Sequence, residues 1–285
     1  MTVTLLDALH MRRPRMIGVY LLTEPEPTLV DCGPAVCLDA VRQALVAHGL
    51  AVGDLRHLLL THVHTDHAGA AGALVRENPS LLVHVHEIGA PHVVEPQRLE
   101  ASARSLYGHA FDSLFGPIEP VPAKNVRVLS DRVLDLGVVP TPGHARHHVS
   151  FFGPDGACYI GDATGVLLPR GNFLYPASAP PGIDVDAWFA SLDAVEAHGP
   201  SCLRLPHFGE LADALAHLER MRERLGDWAA RVRDGATVEE FVAAAEADLR
   251  AEADPTAIEL FDQVPGFDLS YAGLKRYFDR RPEGG

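Results

Sequence analysis

Four cysteines in 285 residues, with no C-x-x-C pair among them, are too few for a disulfide scaffold. Cys32, Cys37, Cys158 and Cys202 therefore read as reduced thiols, which fits a cytoplasmic location. Long apolar runs are missing as well. No stretch approaches the roughly 18 apolar residues of a membrane span. The apolar run within Met1 to Leu9 is too short for a signal sequence, and the basic residues Arg12, Arg13 and Arg15 follow it. Positive charge is scarce: 24 Lys and Arg against 38 Asp and Glu leave a formal charge of −14. That argues against nucleic acid or an anionic membrane as partner. There is no repeat at solenoid periods and no low-complexity tract. What remains is the balance of a globular protein, 47% hydrophobic and 22% charged, long enough for one large domain or two small ones.

One residue type is concentrated rather than scarce. Three histidines and an aspartate lie within His62-Val63-His64-Thr65-Asp66-His67. Imidazole suits zinc and similar first-row metals, and carboxylate adds a hard oxygen ligand. Leu58-Leu59-Leu60 before it reads as a buried strand, and the small residues from Ala68 to Leu74 as the start of a helix. The motif thus falls on a strand-to-helix turn at the carboxyl end of a strand, where open α/β sheets place their chemistry.

Along the chain, strands are predicted at Val3 to Leu6, Met16 to Thr23, Thr28 to Asp31, Leu55 to Thr61 and Leu81 to His86. Helices are predicted at Val36 to His48, Ala68 to Asn78 and Glu87 to Val94, with a looser helical pattern from Glu95 to Phe115. From Val126 to Ile160 short strands follow one another, the last two joined by the turn Gly153-Pro154-Asp155-Gly156. Pro169 to Pro181 reads as a surface loop, Ile183 to His198 as a helix and Cys202 to Leu205 as a strand. Everything beyond Gly209 reads as helix, with a capping box at Thr237 to Glu240. The expected organisation is two β-rich halves covered by helices over 1–209, then a helical extension over 210–285.

Three further candidate ligands stand at turns after apparent strands: His144 in Thr141-Pro142-Gly143-His144, Asp162 in Gly161-Asp162, and His207 in Pro206-His207-Phe208-Gly209. Together with the first four they are too many for one tetrahedral ion. They suit two ions about 3.5 Å apart with a carboxylate between them. Among the other histidines, His84 and His86 alternate along a strand as solvent-facing side chains would. His148, close behind a ligand, is a candidate for a supporting or pocket role.

This ligand series resembles that of the metallo-β-lactamase-fold hydrolases, as do the flanking pieces Asp31-Cys32-Gly33, Thr141-Pro142-Gly143-His144 and Gly161-Asp162. The resemblance spans roughly residues 15 to 210. It implies an α/β (α+β) chain folded as a four-layer αββα sandwich with a two-metal site at one edge. Carried over, His62, His64 and His144 hold one metal, Asp66, His67 and His207 the other, and Asp162 bridges. Zinc is the expected metal, with iron or manganese as alternatives. Such a pair supplies hydroxide from a shared water near neutral pH, and Asp66 is placed to accept or relay a proton.

Fold alone does not choose the reaction. Flavin-linked di-iron members usually carry Glu where this chain has His64, and nuclease members carry a further large domain. A mononuclear iron persulfide dioxygenase is the alternative from another class. A helical extension is also present in glyoxalase II, whose substrate is an anionic glutathione thioester. Here residues 208 to 285 carry 17 acidic and 10 basic side chains, which speaks against an anionic ligand. Acyl-homoserine lactonases use a tyrosine after the bridging aspartate to contact the substrate carbonyl, a role that would fall to Tyr175. Phe173, Leu174, Tyr175, Trp188 and Phe189 are the expected pocket or core aromatics and aliphatics around it. The expectation is a dinuclear hydrolase of a small neutral ester, lactone or thioester. The helical extension offers faces for a homodimer, although amphipathic helices more often pack on their own domain.

Overall fold

The computed structural model describes residues 2–167, 172–255, 258 and 266–280. Two six-stranded sheets face each other. The first runs in the order β1 (Val3–Asp7), β2 (Gly18–Leu22), β3 (Thr28–Val30), β4 (His57–Leu59), β5 (Leu82–Val85), β6 (Val126–Val128), with β3 to β6 parallel. The second runs β14 (Gly209–Leu211), β13 (Cys202–Leu205), β10 (Ala157–Tyr159), β9 (Val149–Phe152), β8 (Leu136–Pro140), β7 (Arg132–Val133). Strands such as β2, buried at every residue, are covered on both faces, which explains their unbroken apolar sequence.

Three apolar layers hold the sandwich together. Tyr20, Leu22, Val30 and Leu59 meet Leu136, Val149, Phe151 and Tyr159 between the sheets. Helices α1 (Leu38–Ala47) and α3 (Ala71–Glu77) bring Val41, Leu45 and Leu74 onto the outside of the first sheet, against Leu29, Leu58 and Val83. Helices α7 (Val185–Ala197), α8 (Ala214–Arg233), α9 (Val238–Glu252) and α10 (Phe267–Asp279) cover the second. There Trp188, Leu218, Trp228, Phe241 and Leu274 share one cluster with Leu203 and Leu205. Fully burying one such side chain is worth about 1.5–3 kcal/mol. The layers are αββα, as expected, and the terminal helices pack directly on the sheet.

Several expectations are corrected. The chain beyond Gly209 is not helical at once: Gly209–Leu211 adds β14 to the sheet edge. The segment after Asp162 is not a surface loop. Leu174–Tyr175 (β12) pairs with Val166–Leu167 (β11), and Phe173, Leu174 and Tyr175 are buried against the helical layer; residues 168–171 of that segment lie outside the described residues. The long helical pattern after Glu95 divides into α5 (Gln97–Tyr107) and α6 (Phe111–Leu114) at Gly108, which adopts φ +54°. His84 is half-buried rather than solvent-facing, its Nε2 2.9 Å from His57 Nδ1. Among the described residues no helix is long and apolar enough to cross a membrane. All four cysteines are free and buried.

Candidate metal centre

Five strand ends converge on one edge of the sandwich. β3 leads to Asp31, β4 to His62 and His64, β8 to His144, β10 to Asp162 and β13 to His207. The short helix α2 (Thr65–Ala68) carries Asp66 and His67 in its first turn. Gly143 is required for the approach of His144. It adopts φ +135°, and a Cβ there would stand 2.3 Å from Trp188.

The seven predicted ligands form two groups. In the first, His64 Nδ1 lies 3.1 Å from His62 Nε2 and 2.9 Å from His144 Nε2, close enough for one ion to reach all three at about 2.1 Å. In the second, His67 Nε2 lies 3.5 Å from Asp66 Oδ2 and 3.3 Å from Asp162 Oδ1. His207 Nε2 lies 3.4 Å from Asp66 Oδ2 and 3.7 Å from Asp162 Oδ1. Ligands about 2.1 Å from a tetrahedral zinc stand about 3.4 Å apart. Asp162 belongs to both neighbourhoods, since its Oδ2 lies 3.7 Å from His144 Nε2. His67 Nε2, His207 Nε2 and Asp162 Oδ1 are buried polar atoms without a hydrogen bond, a costly arrangement that a cation in their midst would repair.

The surrounding residues aim these atoms. His144 Nδ1 donates to Ala177 O at 2.7 Å and His207 Nδ1 to Met16 O at 2.7 Å, so each ring turns its Nε2 inward, the nitrogen left free to bind a metal when the ring is neutral. Asp31, in the left-handed region at φ +58°, accepts from His67 Nδ1 at 2.9 Å and from the N–H and hydroxyl of Thr61 at 2.8 Å. Its motif was legible in the sequence, but its carboxylate's task was not. His148, the predicted supporting residue, accepts at Nε2 from the Asp162 N–H at 3.0 Å, while its Nδ1 meets Thr141 Oγ1 at 2.8 Å.

Electrostatics separates the two groups. Burial holds the pKa of His62 and His64 well below the usual imidazole range and lowers that of His144, so these rings stay neutral, as ligands must. Burial also opposes charge on His67 and His207, but the carboxylates of Asp162 and Asp66 outweigh it and raise both. Asp66 and Asp162 are lowered: burial opposes their ionisation, yet the neighbouring His67 and His207 prevail. The second group is therefore the one with counter-charge built in.

A cavity of about 480 Å³ opens from this cluster. Its wall includes His64, Asp66, His144, Asp162 and His207, and its roof is helix α5 with Leu99, Leu106 and Tyr107. Tyr107 packs edge-on against Phe115 at 4.8 Å. Among the described residues its hydroxyl has no hydrogen-bond partner, and burial and the Asp66 carboxylate raise its pKa. Tyr175 lines the cavity, as expected, but its hydroxyl is engaged elsewhere. It meets Ser270 Oγ at 2.9 Å, and the ring is wedged beside Trp228 and Phe267. The hydroxyl expected to contact substrate is thus hydrogen-bonded to the last helix instead.

The sequence profile of the Metallo-beta-lactamase superfamily matches residues 12–203, and the chain belongs to that superfamily. A curated relative, the metallo-beta-lactamase fold-containing protein ST1585 of Sulfurisphaera tokodaii, is 26% identical over 67% of this chain and 77% of its own. The crystal structure of ST1585 superposes with a TM-score of 0.68 over 96% of this chain and 98% of its own, at 20% identity, which is a likeness of fold. A hydroxyacylglutathione hydrolase of Methylobacillus flagellatus is 28% identical over 47% of this chain and 41% of its own. TTHA1623, solved in a di-iron-bound form, has a TM-score of 0.53 at 29% identity, over 74% of this chain and 94% of its own.

Proposed function

We propose that the chain is a dinuclear metal-dependent hydrolase that cleaves a small ester, lactone or thioester. The observation that carries this is the position of Asp162, whose two oxygens face the two ligand groups. His62, His64 and His144 would hold one ion and Asp66, His67 and His207 the other, with Asp162 between. When bound, such a pair makes hydroxide available near neutral pH and polarises a carbonyl. The chain's own residues do the rest. His148 and Asp31 keep the ligands in register. Asp66 lines the cavity and accepts or relays a proton at the oxygen not turned to His67 and His207. The roof of α5 over an apolar cavity keeps competing water away from the scissile bond.

Zinc suits the all-nitrogen and oxygen donor set. The di-iron form of TTHA1623 keeps iron beside it as the native metal. The test is metal analysis of protein purified without added metal, joined to a hydrolysis screen over lactones, thioesters, phosphodiesters and β-lactams. Near two ions per chain with cleavage of an ester, lactone or thioester is the expected result. One iron per chain, with oxygen consumed on a thiol persulfide, would replace this reading by the dioxygenase one.

A further inference from the structure

The acidic composition points to a neutral substrate, but the charge around the cavity points the other way. Arg15, on the β1–β2 connection, Arg98, in the first turn of α5, and Arg146, two residues past His144, all line the cavity and are exposed at its mouth. Among the described residues none of the three guanidinium groups forms an ion pair, although the backbone N–H of Arg15 donates to Asp7 Oδ2 at 2.8 Å. Elsewhere in the chain Arg42, Arg76, Arg104, Arg204, Arg222 and Arg224 each form an ion pair with an acid, and Arg127, Arg132 and Arg220 turn their guanidinium groups to backbone carbonyls. Among the described residues the carboxylates in the cavity wall are Asp66 and Asp162, and both are turned to His67 and His207. In a chain of net charge −14, three exposed guanidinium groups without an ion pair among the described residues thus line one cavity. Field lines of one sign focused into an apolar-walled cleft gather an oppositely charged ligand. Arg15 is also held in place, its guanidinium 5.0 Å over the ring of Phe208, next to His207. Leu99, Ala103, Leu106 and Phe115 give the same wall an apolar part.

We propose that the substrate is amphipathic and anionic: an apolar stem runs under α5, and a carboxylate or phosphate beyond the scissile bond is recognised by Arg15, Arg98 and Arg146. The inference rests on the hydrolase reading and names the substrate class for that same site. Guanidinium groups bind both anions through paired charge-assisted hydrogen bonds, so the shared chemistry is the oxyanion.

The test compares three thioesters on the metal-loaded protein. They are an octanoyl thioester of N-acetylcysteamine, its counterpart with a terminal carboxylate on the acyl chain, and octanoyl phosphopantetheine. One anionic substrate should exceed the neutral one by about tenfold in kcat/KM, one good charge-assisted contact's worth. The advantage should shrink at high ionic strength, and which substrate shows it distinguishes carboxylate from phosphate. Arg15→Ala, Arg98→Ala and Arg146→Ala should each reduce the anionic-to-neutral ratio, whereas Arg76→Gln, which removes a charge outside the cavity wall, should not. Calorimetric binding of the corresponding non-hydrolysable thioethers reports the same preference if none of the thioesters is cleaved, so a failed hydrolase reading is told apart from a failed charge reading. Equal ratios for neutral and anionic compounds, or ratios insensitive to all three arginines, would overturn the proposal.

Discussion

The imidazole of His148 accepts a hydrogen bond at Nε2 from the backbone N–H of Asp162, at 3.0 Å. The residue that faces both ligand groups is thus fixed by a histidine outside either group. Its Nδ1 continues to Thr141 Oγ1, which lies 2.9 Å from Ser150 Oγ, so one polar chain links β8, β9 and the turn after β10. Removing His148 unanchors Asp162 without deleting a ligand. His148→Ala should lower metal affinity or activity by about 10–100-fold, read by metal titration with a competing chelator. Gly161→Ala should do similar harm from the other side, because a Cβ there would stand 2.4 Å from His148 Nε2 at a backbone φ of +55°. Wild-type metal affinity and turnover in both variants would remove His148 from the site.

Asp162→Ala is the sharper test of the ligand arrangement. It removes the carboxylate that offsets His67 and His207 and also faces His144. Purified Asp162→Ala protein should hold fewer than two ions per chain and lose about 100-fold or more in turnover, as loss of a charge-stabilising group at a reaction centre does. Retention of both ions and full activity would refute the bridging position.

The metal cluster was legible because its signal is local. His62 to His67 is dense, and Gly143-His144, Gly161-Asp162 and Pro206-His207 each mark a strand end by their own punctuation. What escaped is set by contacts distant in sequence. Phe173-Leu174-Tyr175 is flanked by Pro and Gly and reads as a loop. Only the pairing with Val166–Leu167 and the arrival of Trp228 and Phe267 bury it. Helix α5 has an ordinary amphipathic pattern that does not reveal its use as a roof, and nothing in the acidic composition shows that Arg15, Arg98 and Arg146 line one cavity. The carboxylate of Asp31 finds its partners at Thr61 and His67, 30 and 36 residues away.

The terminal helices reach the metal edge through His217, on α8, and this gives acid sensitivity. His217 is buried and its Nε2 donates to Thr164 O at 3.1 Å, bracing the turn that carries Asp162. Burial lowers its pKa to about 4, against the usual value near 6.5. As pH falls below 6.5 the unfolded chain takes up this proton and the folded chain does not. Stability contributed by the neutral ring is therefore intact above about pH 6.5 and lost as pH falls towards 4, by as much as about 3 kcal/mol. In His217→Gln the drop in unfolding free energy between pH 7 and about pH 4.5 should be smaller by about 2 kcal/mol, measured by urea titration of matched metal-free samples. An unchanged drop would mean that His217 is already charged in the folded protein.

Tyr175 supplies a contrast between stability and turnover. Its hydroxyl is spent on Ser270 Oγ, a fully buried side chain of α10, and burial lifts its pKa to about 12. A phenol so engaged ties the β11–β12 hairpin to the last helix rather than serving a substrate. Tyr175→Phe deletes one buried hydrogen bond and leaves the Ser270 hydroxyl short of a partner, so it should cost about 1–3 kcal/mol of stability. Hydrolysis per folded molecule should stay within about twofold of wild type, since loss of a transition-state contact would instead show as tenfold or more in kcat/KM. Thermal unfolding and steady-state kinetics on the same preparation decide the matter. A stable Tyr175→Phe protein with a crippled kcat would return this hydroxyl to the reaction and require the hairpin to move in the substrate complex.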